Sequence, residues 1–291
     1  MILVYAACGS PSAAPPVDEP IPAPTPPPTW SSDFASTGGL WGVSIRSGGS
    51  VLFGASESEA ADNAVAHLVL PGNARLSSGQ HVGPGFATEI GSLRTFLYGT
   101  FRMRVRLATC RPNEEAVNGI FTYFNDGSDA DGNGIADNSE IDIEVLCSNP
   151  SIVSLTSWTD YEEEPQRFRK WTRAVDLETG EVLESFSDRE FGVVSKGIDP
   201  ALRHPGFPEP GAFYEMGFDW HADRLRYFLV LDGAELTLWD FRDRAHIPQR
   251  PSTLQFNVWH PRDHWFGPAG GADYPAGDAR MDLDWARYWE G

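Results

Sequence analysis

Apolar and polar residues alternate with a period of two along much of this 291-residue chain. In the clearest example, residues 101–107, phenylalanine, methionine, valine and leucine alternate with three arginines. Successive side chains of a strand point to opposite faces, so this pattern predicts strands with one buried and one solvated face. The segments predicted as strands are 101–107, 118–124, 140–146, 152–158, 212–220, 224–231, 254–259 and 280–285.

Turn residues separate these segments, as at Asp232-Gly233, where a hairpin is predicted. The pattern contains no amphipathic helix of three turns. Many short antiparallel strands in one chain predict an all-β fold, either a sandwich of two antiparallel sheets or a jelly roll. Ten tryptophans and 29 glycines agree with an aromatic-rich β protein.

The charge of the chain excludes some classes of partner. The sequence has 41 acidic against 22 basic residues, a net charge of −19. A nucleic-acid partner is therefore not expected, because a phosphate backbone requires a basic surface. The sequence contains no apolar run of about 18 residues, so it predicts no transmembrane helix.

The first 29 residues are not expected to belong to the fold. Residues 1–8 are apolar and end in Ala6-Ala7-Cys8, which resembles the lipobox of a bacterial lipoprotein, so we interpret them as a partial signal with Cys8 as the lipidation site. The alternative is a disordered tail with an incidental cysteine. Residues 9–29 are proline-rich and predict a disordered linker. We therefore expect an extracytoplasmic domain, either lipid-anchored to a bacterial membrane or secreted.

Removing Cys8 leaves two cysteines, Cys110 and Cys147. An even pair in an oxidising compartment predicts a disulfide, and the alternative is two buried thiols.

The segment Glu140-Ile141-Asp142-Ile143-Glu144 carries the strongest functional signal. In a strand its three carboxylates share one face, and their repulsion is destabilising unless a proton is shared or the site is wet. Three interpretations are open: a hard cation such as calcium, acid–base and nucleophilic work on a glycoside, or a solvated acidic face. Two glutamates four apart have Cα atoms about 13 Å from each other, and side chains leaning inward would suit a retaining glycosidase.

This segment resembles the catalytic signature of glycoside hydrolase family 16, in its regular-strand form. Further segments resemble the family's strands in the expected order. These segments are 98–101, 118–123, 213–220 to Asp232-Gly233, 257–259 and 282–288. The resemblance implies a β-jelly-roll sandwich of two antiparallel sheets with a concave glycan-binding groove, formed by a catalytic domain over residues 30–291.

The resemblance also implies roles: Glu140 as nucleophile, Glu144 as general acid/base and Asp142 as an assisting carboxylate. The implied function is that of a secreted retaining endo-glycosidase, which hydrolyses internal β-linkages of a polysaccharide. The expected substrate is a β-1,3/1,4-type glucan. The alternatives are a transglycosylase on the same substrates and a non-catalytic glycan-binding jelly roll. Catalysis would require no cofactor, the polysaccharide is the expected partner, and we expect a monomer.

Sugar-binding residues should be aromatic or carry amides and carboxylates, because sugar faces stack on rings and hydroxyls form hydrogen bonds. For the aromatic positions the alternative is core packing. Lichenases of the family carry a tryptophan two residues before the nucleophile, where this chain has Asn138. The positions that match sugar-binding residues of the family are Glu89, Phe121, Tyr123, Trp158, Asn257 and Trp259. Trp265, in a predicted loop, is a further candidate for sugar binding.

A loop before these carboxylates matches the spacing of an EF-hand calcium loop. Asp129, Asp131, Asn133 and Asp137 are the candidate ligands for a structural calcium ion, and Glu140 occupies the twelfth position. A nucleophile held by calcium could not attack a sugar, so we expect Glu140 to be outside any such site. The alternative is an Asp/Asn/Gly-rich turn without an ion.

Overall fold

A computed structural model of the chain describes residues 26–45, 49–73, 85–187, 193–263, 265 and 271–291. The predicted signal, Cys8 and most of the predicted linker lie outside these residues. The last part of the linker contacts the fold: the Trp289 indole donates to the Pro26 carbonyl at 2.8 Å, and the Thr29 amide donates to the Tyr288 carbonyl at 2.8 Å.

The strands form two antiparallel sheets, as the alternation predicted. The first sheet has eight strands: β1 (Trp30–Ser32), β3 (Ser50–Ser56), β4 (Ala64–Leu70), β6 (Gly99–Arg106), β13 (Tyr214–His221), β14 (Arg224–Leu231), β15 (Ala234–Phe241) and β17 (Ala279–Trp289). Their order is β15-β14-β13-β6-β17-β4-β3, and β1 pairs with β17.

The second sheet has nine strands: β2 (Trp41–Ile45), β5 (Phe86–Phe96), β7 (Val117–Tyr123), β8 (Asp137–Leu146), β9 (Ile152–Glu162), β10 (Arg167–Asp176), β11 (Glu181–Ser187), β12 (Val194–Ile198) and β16 (Ser252–His260). Their order is β12-β11-β10-β9-β8-β7-β16-β5-β2, which places β8 in the middle of the sheet. Single 3₁₀ turns lie at Pro200–Leu202 and Arg244–His246, and no helix among the described residues is long and apolar enough to cross a membrane.

The core lies between the two sheets. In β6 the side chains of Phe101, Met103 and Val105 are fully buried there, as predicted. Burying apolar side chains of this size contributes about 1.5–3 kcal/mol each, which is the main source of stability in a sandwich.

One prediction from the alternation of 280–285 is wrong. The alternation predicts Asp282 and Asp284 on a solvated face, but these residues are 1% and 2% exposed. Arg104 pairs with Asp284, while Arg106 Nε donates to Asp282 at 2.7 Å and His67 Nδ1 lies 2.7 Å from the same carboxylate. Buried carboxylates require such partners, and the pairing of β17 with β6 and β4 brings these three to them.

Candidate functional site

Glu140, Asp142 and Glu144 lie on one face of β8, as its alternation predicts. Ile141 and Ile143, which alternate with them, are buried in the core between the sheets. We call the opposite side of the nine-stranded sheet, which bears the three acids, the carboxylate face. Asp142 is only 4% exposed, whereas the two glutamates are partly exposed.

Each of the three carboxylates has its own N–H donor. Asn138 Nδ2 donates to Glu140 Oε2 at 2.7 Å, and Trp158 Nε1 donates to Asp142 Oδ2 at 2.8 Å. Trp259 forms a side-chain hydrogen bond with Glu144. Hydrogen bonds of this kind fix the carboxylates in place and favour their ionised forms.

Burial opposes ionisation at all three carboxylates. It raises the pKa of Glu140 from 4.5 to about 7, against hydrogen bonds from Asn138 and Asp142 that lower it. Burial and then the charge of Glu140 raise the pKa of Glu144 from 4.5 to about 7. Burial, followed by the charges of Glu140 and Glu144, raises the pKa of Asp142 well above 3.8.

These shifts leave protons on the cluster at neutral pH. Asp142 is hydrogen-bonded to Glu140, and its raised pKa favours the form that can donate a proton in this bond. One glutamate can then be an anion while the other is an acid, because like charges this close do not ionise together. Two glutamates on one face, one as the acid and the other as the base, can perform acid–base chemistry near neutral pH.

Two residues of this cluster are not predicted by the sequence pattern. Asn138 was noted only as a difference from lichenases, although it donates to Glu140 and is 2% exposed. Lys170 was not singled out, although its charge lowers the pKa of all three carboxylates. The position of Asn138, two residues before Glu140, could have indicated its role. Nothing in the local sequence around Lys170 indicates that it belongs to the cluster.

The strand register brings most of the predicted sugar-binding residues to the carboxylate face. Residues opposite one another in neighbouring strands share a face. One row across the sheet consists of Glu89, Asn257, Gly119 and Glu144, and the next consists of Gly91, Gln255, Phe121, Asp142 and Thr156. Trp158 lies opposite Glu140, and Tyr123 belongs to the same face as Phe121.

The aromatic residues differ in exposure. Phe121 is 9% exposed, so it packs into the floor of the face, whereas Tyr123 and Trp265 are 37% and 36% exposed. The rings of Trp259 and Trp265 lie 5.7 Å apart. Exposed rings above a polar floor form a surface on which sugar rings can stack.

Asn257 has an amide that is not fully satisfied. Its Nδ2 donates to Glu89 Oε2 at 3.4 Å, and its Oδ1 is buried without a partner among the described residues. A Cβ at Gly119 would lie 2.2 Å from that Oδ1, so glycine leaves the space that the Asn257 side chain occupies.

Cys110 and Cys147 form a disulfide, with a Cα–Cα distance of 5.1 Å. Cys147 follows directly after β8, so the disulfide links the end of the central strand to the loop after β6. The alternative of two buried thiols does not apply in this structure.

The predicted calcium loop brings three of its four candidate ligands together. Carboxylate oxygens of Asp129, Asp131 and Asp137 lie within 4.8 Å of one another. Asn133 instead donates its amide to Asp160 at 2.6 Å and to Asp131 at 3.1 Å. Calcium binding in this loop stays a prediction.

The fold matches solved structures of glucan-degrading enzymes. The β-glucanase of Bacillus licheniformis is 18% identical, with a TM-score of 0.50 over 92% of this chain and 100% of that one. A lichenase from a mouse hindgut metagenome is 17% identical, with a TM-score of 0.51 over 90% and 99%. The laminarinase catalytic domain of Thermotoga maritima is 15% identical, with a TM-score of 0.52 over 91% and 98%.

No family model matches the sequence, and no curated protein does. Similarity at 15–18% identity shows the fold and leaves the chemistry to be argued from the site. The chain therefore has the two-sheet jelly-roll fold of the β-glucanases and laminarinases, the fold implied by its resemblance to glycoside hydrolase family 16.

Proposed function

We propose that this protein is a retaining glycosidase of the family 16 type that cleaves internal β-linkages of a polysaccharide. The observation that carries the proposal is the arrangement on β8. Glu140 and Glu144 lie on one face, each with its own N–H donor, on either side of Asp142, whose pKa is raised by burial. A lectin gains nothing from three crowded carboxylates whose mutual repulsion is destabilising.

The proposed chemistry uses two steps. Glu144 protonates the leaving oxygen while Glu140 attacks the anomeric carbon, and the glycosyl–Glu140 ester forms as the glycosidic bond breaks. Glu144, now ionised, takes a proton from water, which attacks the ester and releases Glu140. Asp142 stabilises the ionised nucleophile through their hydrogen bond and lowers the pKa of Glu140.

The net charge of the chain favours a neutral polysaccharide. The whole chain has a net charge of −19, and Glu89 is a further acidic residue on the carboxylate face. Sulfated or uronic-acid polymers would be repelled from such a surface. Three of the solved structures with this fold are a β-glucanase, a lichenase and a laminarinase, which supports a β-1,3- or β-1,4-linked glucan as the substrate.

The first experiment is an assay of the purified full chain against a panel of polysaccharides. The panel contains barley β-glucan, lichenan, laminarin, xyloglucan, agarose and carrageenan, and the products are resolved by mass. We expect oligosaccharides from one or more of the neutral glucans and none with the Glu140→Gln variant. Products longer than hydrolysis can release would show that the enzyme is a transglycosylase. Binding of a glycan by folded protein without any product would support the non-catalytic alternative and overturn the enzyme.

We also propose that the domain is exported and anchored through Cys8. The sequence before the fold supports this proposal: an apolar stretch, Cys8 with small residues on both sides, and a proline-rich spacer. In a bacterial host, the wild type should partition with membranes and incorporate labelled palmitate. The Cys8→Ser variant should do neither, and equal labelling of both would contradict the assignment.

A further inference from the structure

Lys170 lies on β10, two strands away from the carboxylates. It is directly opposite Trp158 on β9, and Trp158 is directly opposite Glu140 on β8. Because opposite residues of neighbouring strands share a face, Lys170 belongs to the carboxylate face. A lysine on this face, within the field of several carboxylates, differs from the solvated surface position at which lysine is usually found.

The ammonium group of Lys170 packs on aromatic rings. Its Nζ lies 4.2 Å from the centroid of the Trp158 ring and 5.6 Å from that of Phe168. Phe168 and Tyr161 also contact the Trp158 indole edge-on, at 5.6 and 5.9 Å. A cation over a ring is attracted to its π-face, so Lys170 contributes to fixing the indole whose N–H binds Asp142.

Lys170 is also electrostatically linked to the whole cluster. Its charge lowers the pKa of Glu140, Asp142 and Glu144. Burial lowers the pKa of Lys170 itself, whereas the same three carboxylates raise it. Other titratable groups act on the cluster or respond to it: Glu89 raises the pKa of Glu140, Glu140 raises that of Tyr161, and Asp142 raises that of Tyr227.

We propose that Lys170 is a positioning residue of this site: it holds the indole that binds Asp142 and places a positive charge on the carboxylate face. The catalytic consequence rests on the proposed glycosidase function, whereas the effect on the carboxylates rests on the position of Lys170 over Trp158 and on its charge. Lys170 does not touch the reacting atoms in this scheme. Lys170 acts by holding the Trp158 indole and through the electrostatic effect of its charge on the three carboxylates.

The test compares full-length Lys170→Met and Lys170→Gln, which remove the charge, with Lys170→Arg, which keeps it. Lys196→Met is the matched control, because Lys196 is the other lysine of the chain and, on the edge strand β12, pairs with Glu184 of β11. Titration of ¹³C-labelled glutamate carboxyls by NMR, assigned with Glu140→Gln and Glu144→Gln, measures the cluster without any assay of activity.

We expect the charge-removing variants to raise the pKa of Glu140 and Glu144 by at least about half a unit, and Lys170→Arg and Lys196→Met to leave it unchanged. On the polymer that the wild type cleaves, both limbs of the pH profile should move upward in the same variants. Carboxyls that titrate as in the wild type, in whichever charge-removing variant folds, would overturn the proposal. If the wild type cleaves no polymer, the proposed function fails and the carboxyl titration still decides the role of Lys170.

Discussion

Trp158 donates its indole N–H to Asp142 at 2.8 Å, although the two residues lie on different strands. Asp142 is 4% exposed and has the charges of Glu140 and Glu144 beside it, so this donor offsets part of the cost of burying a third carboxyl group. The Trp158 indole therefore contacts both Lys170 of β10, which lies over its ring, and Asp142 of β8, which accepts its N–H.

The Trp158→Phe substitution removes this donor and keeps an aromatic ring. Removing the donor leaves a buried acceptor unsatisfied, which costs about 1–3 kcal/mol, so we expect kcat/KM to fall roughly 5- to 100-fold. Trp171→Phe is the matched control, because Trp171 is on the neighbouring strand and packs against Phe241 instead. Equal losses in the two variants would show that only aromatic packing matters.

The pH dependence of activity should be bell-shaped and centred close to neutral. Burial raises the pKa of both Glu140 and Glu144 to about 7, and their interaction separates the two titration steps. Activity should fall at acidic pH, where the nucleophile is protonated, and at alkaline pH, where the general acid has lost its proton. Initial rates from pH 4 to pH 10 measure this, and a plateau extending down to pH 4 would contradict it.

The Glu144→Gln variant should be more stable than the wild type at alkaline pH. The pKa of Glu144 is raised from 4.5 to about 7, so the folded protein binds this proton more tightly than the unfolded chain does. The wild type therefore loses stability as pH rises from about 4.5 to about 7, and the variant avoids this loss.

We expect Glu144→Gln to gain on the order of 1–3 kcal/mol in unfolding free energy at pH 8 and nothing at pH 4. Denaturant titrations at the two pH values measure the difference. Glu163→Gln, at an exposed position, is the control and should show no pH-dependent gain. A gain that is the same at both pH values would point to a cause other than ionisation.

The Gly119→Ala substitution should impair glycan binding without unfolding the protein. The new Cβ would lie 2.2 Å from Asn257 Oδ1, so the asparagine side chain would have to rotate away from Glu89. We expect KM to rise about tenfold or more, equivalent to about 1.4 kcal/mol, with a smaller change in kcat.

Gly91→Ala is the matched control on the same face, because its Cβ would meet Gln255 Cγ at an ordinary 3.5 Å. Glycan affinity measured by titration calorimetry on Glu140→Gln backgrounds separates binding from catalysis. Equal affinities for the two alanine variants would contradict the role of Asn257.

Reduction of the Cys110–Cys147 disulfide should destabilise the domain. The bond joins residues separated by 37 positions, and a loop of that size contributes about 4 kcal/mol by restricting the unfolded chain. Denaturant titration with and without dithiothreitol measures the change. Cys8→Ser should behave as the wild type in both conditions, and an unchanged midpoint on reduction would contradict the role of the bond.

The sequence by itself determined the features that depend on local alternation. Residues 140–144 put three carboxylates on one face of a strand because side chains alternate along any strand, whatever its neighbours are. The same alternation predicts Phe101 and Met103 in the core, where both are fully buried. The number of predicted strands indicates an all-β fold. The resemblance of the signature then indicated the roles of Glu140 and Glu144.

Only the tertiary structure decided which groups surround those carboxylates. Trp259 comes from β16, far along the chain, and Lys170 from β10, the second strand after β8. Their positions depend on strand order and register, which local alternation does not fix. The same holds for Asp282, which alternation placed in solvent and Arg106 covers. A side chain's face is a local property of its strand, but its partners, and therefore its protonation, are set by strands that pair across long stretches of sequence.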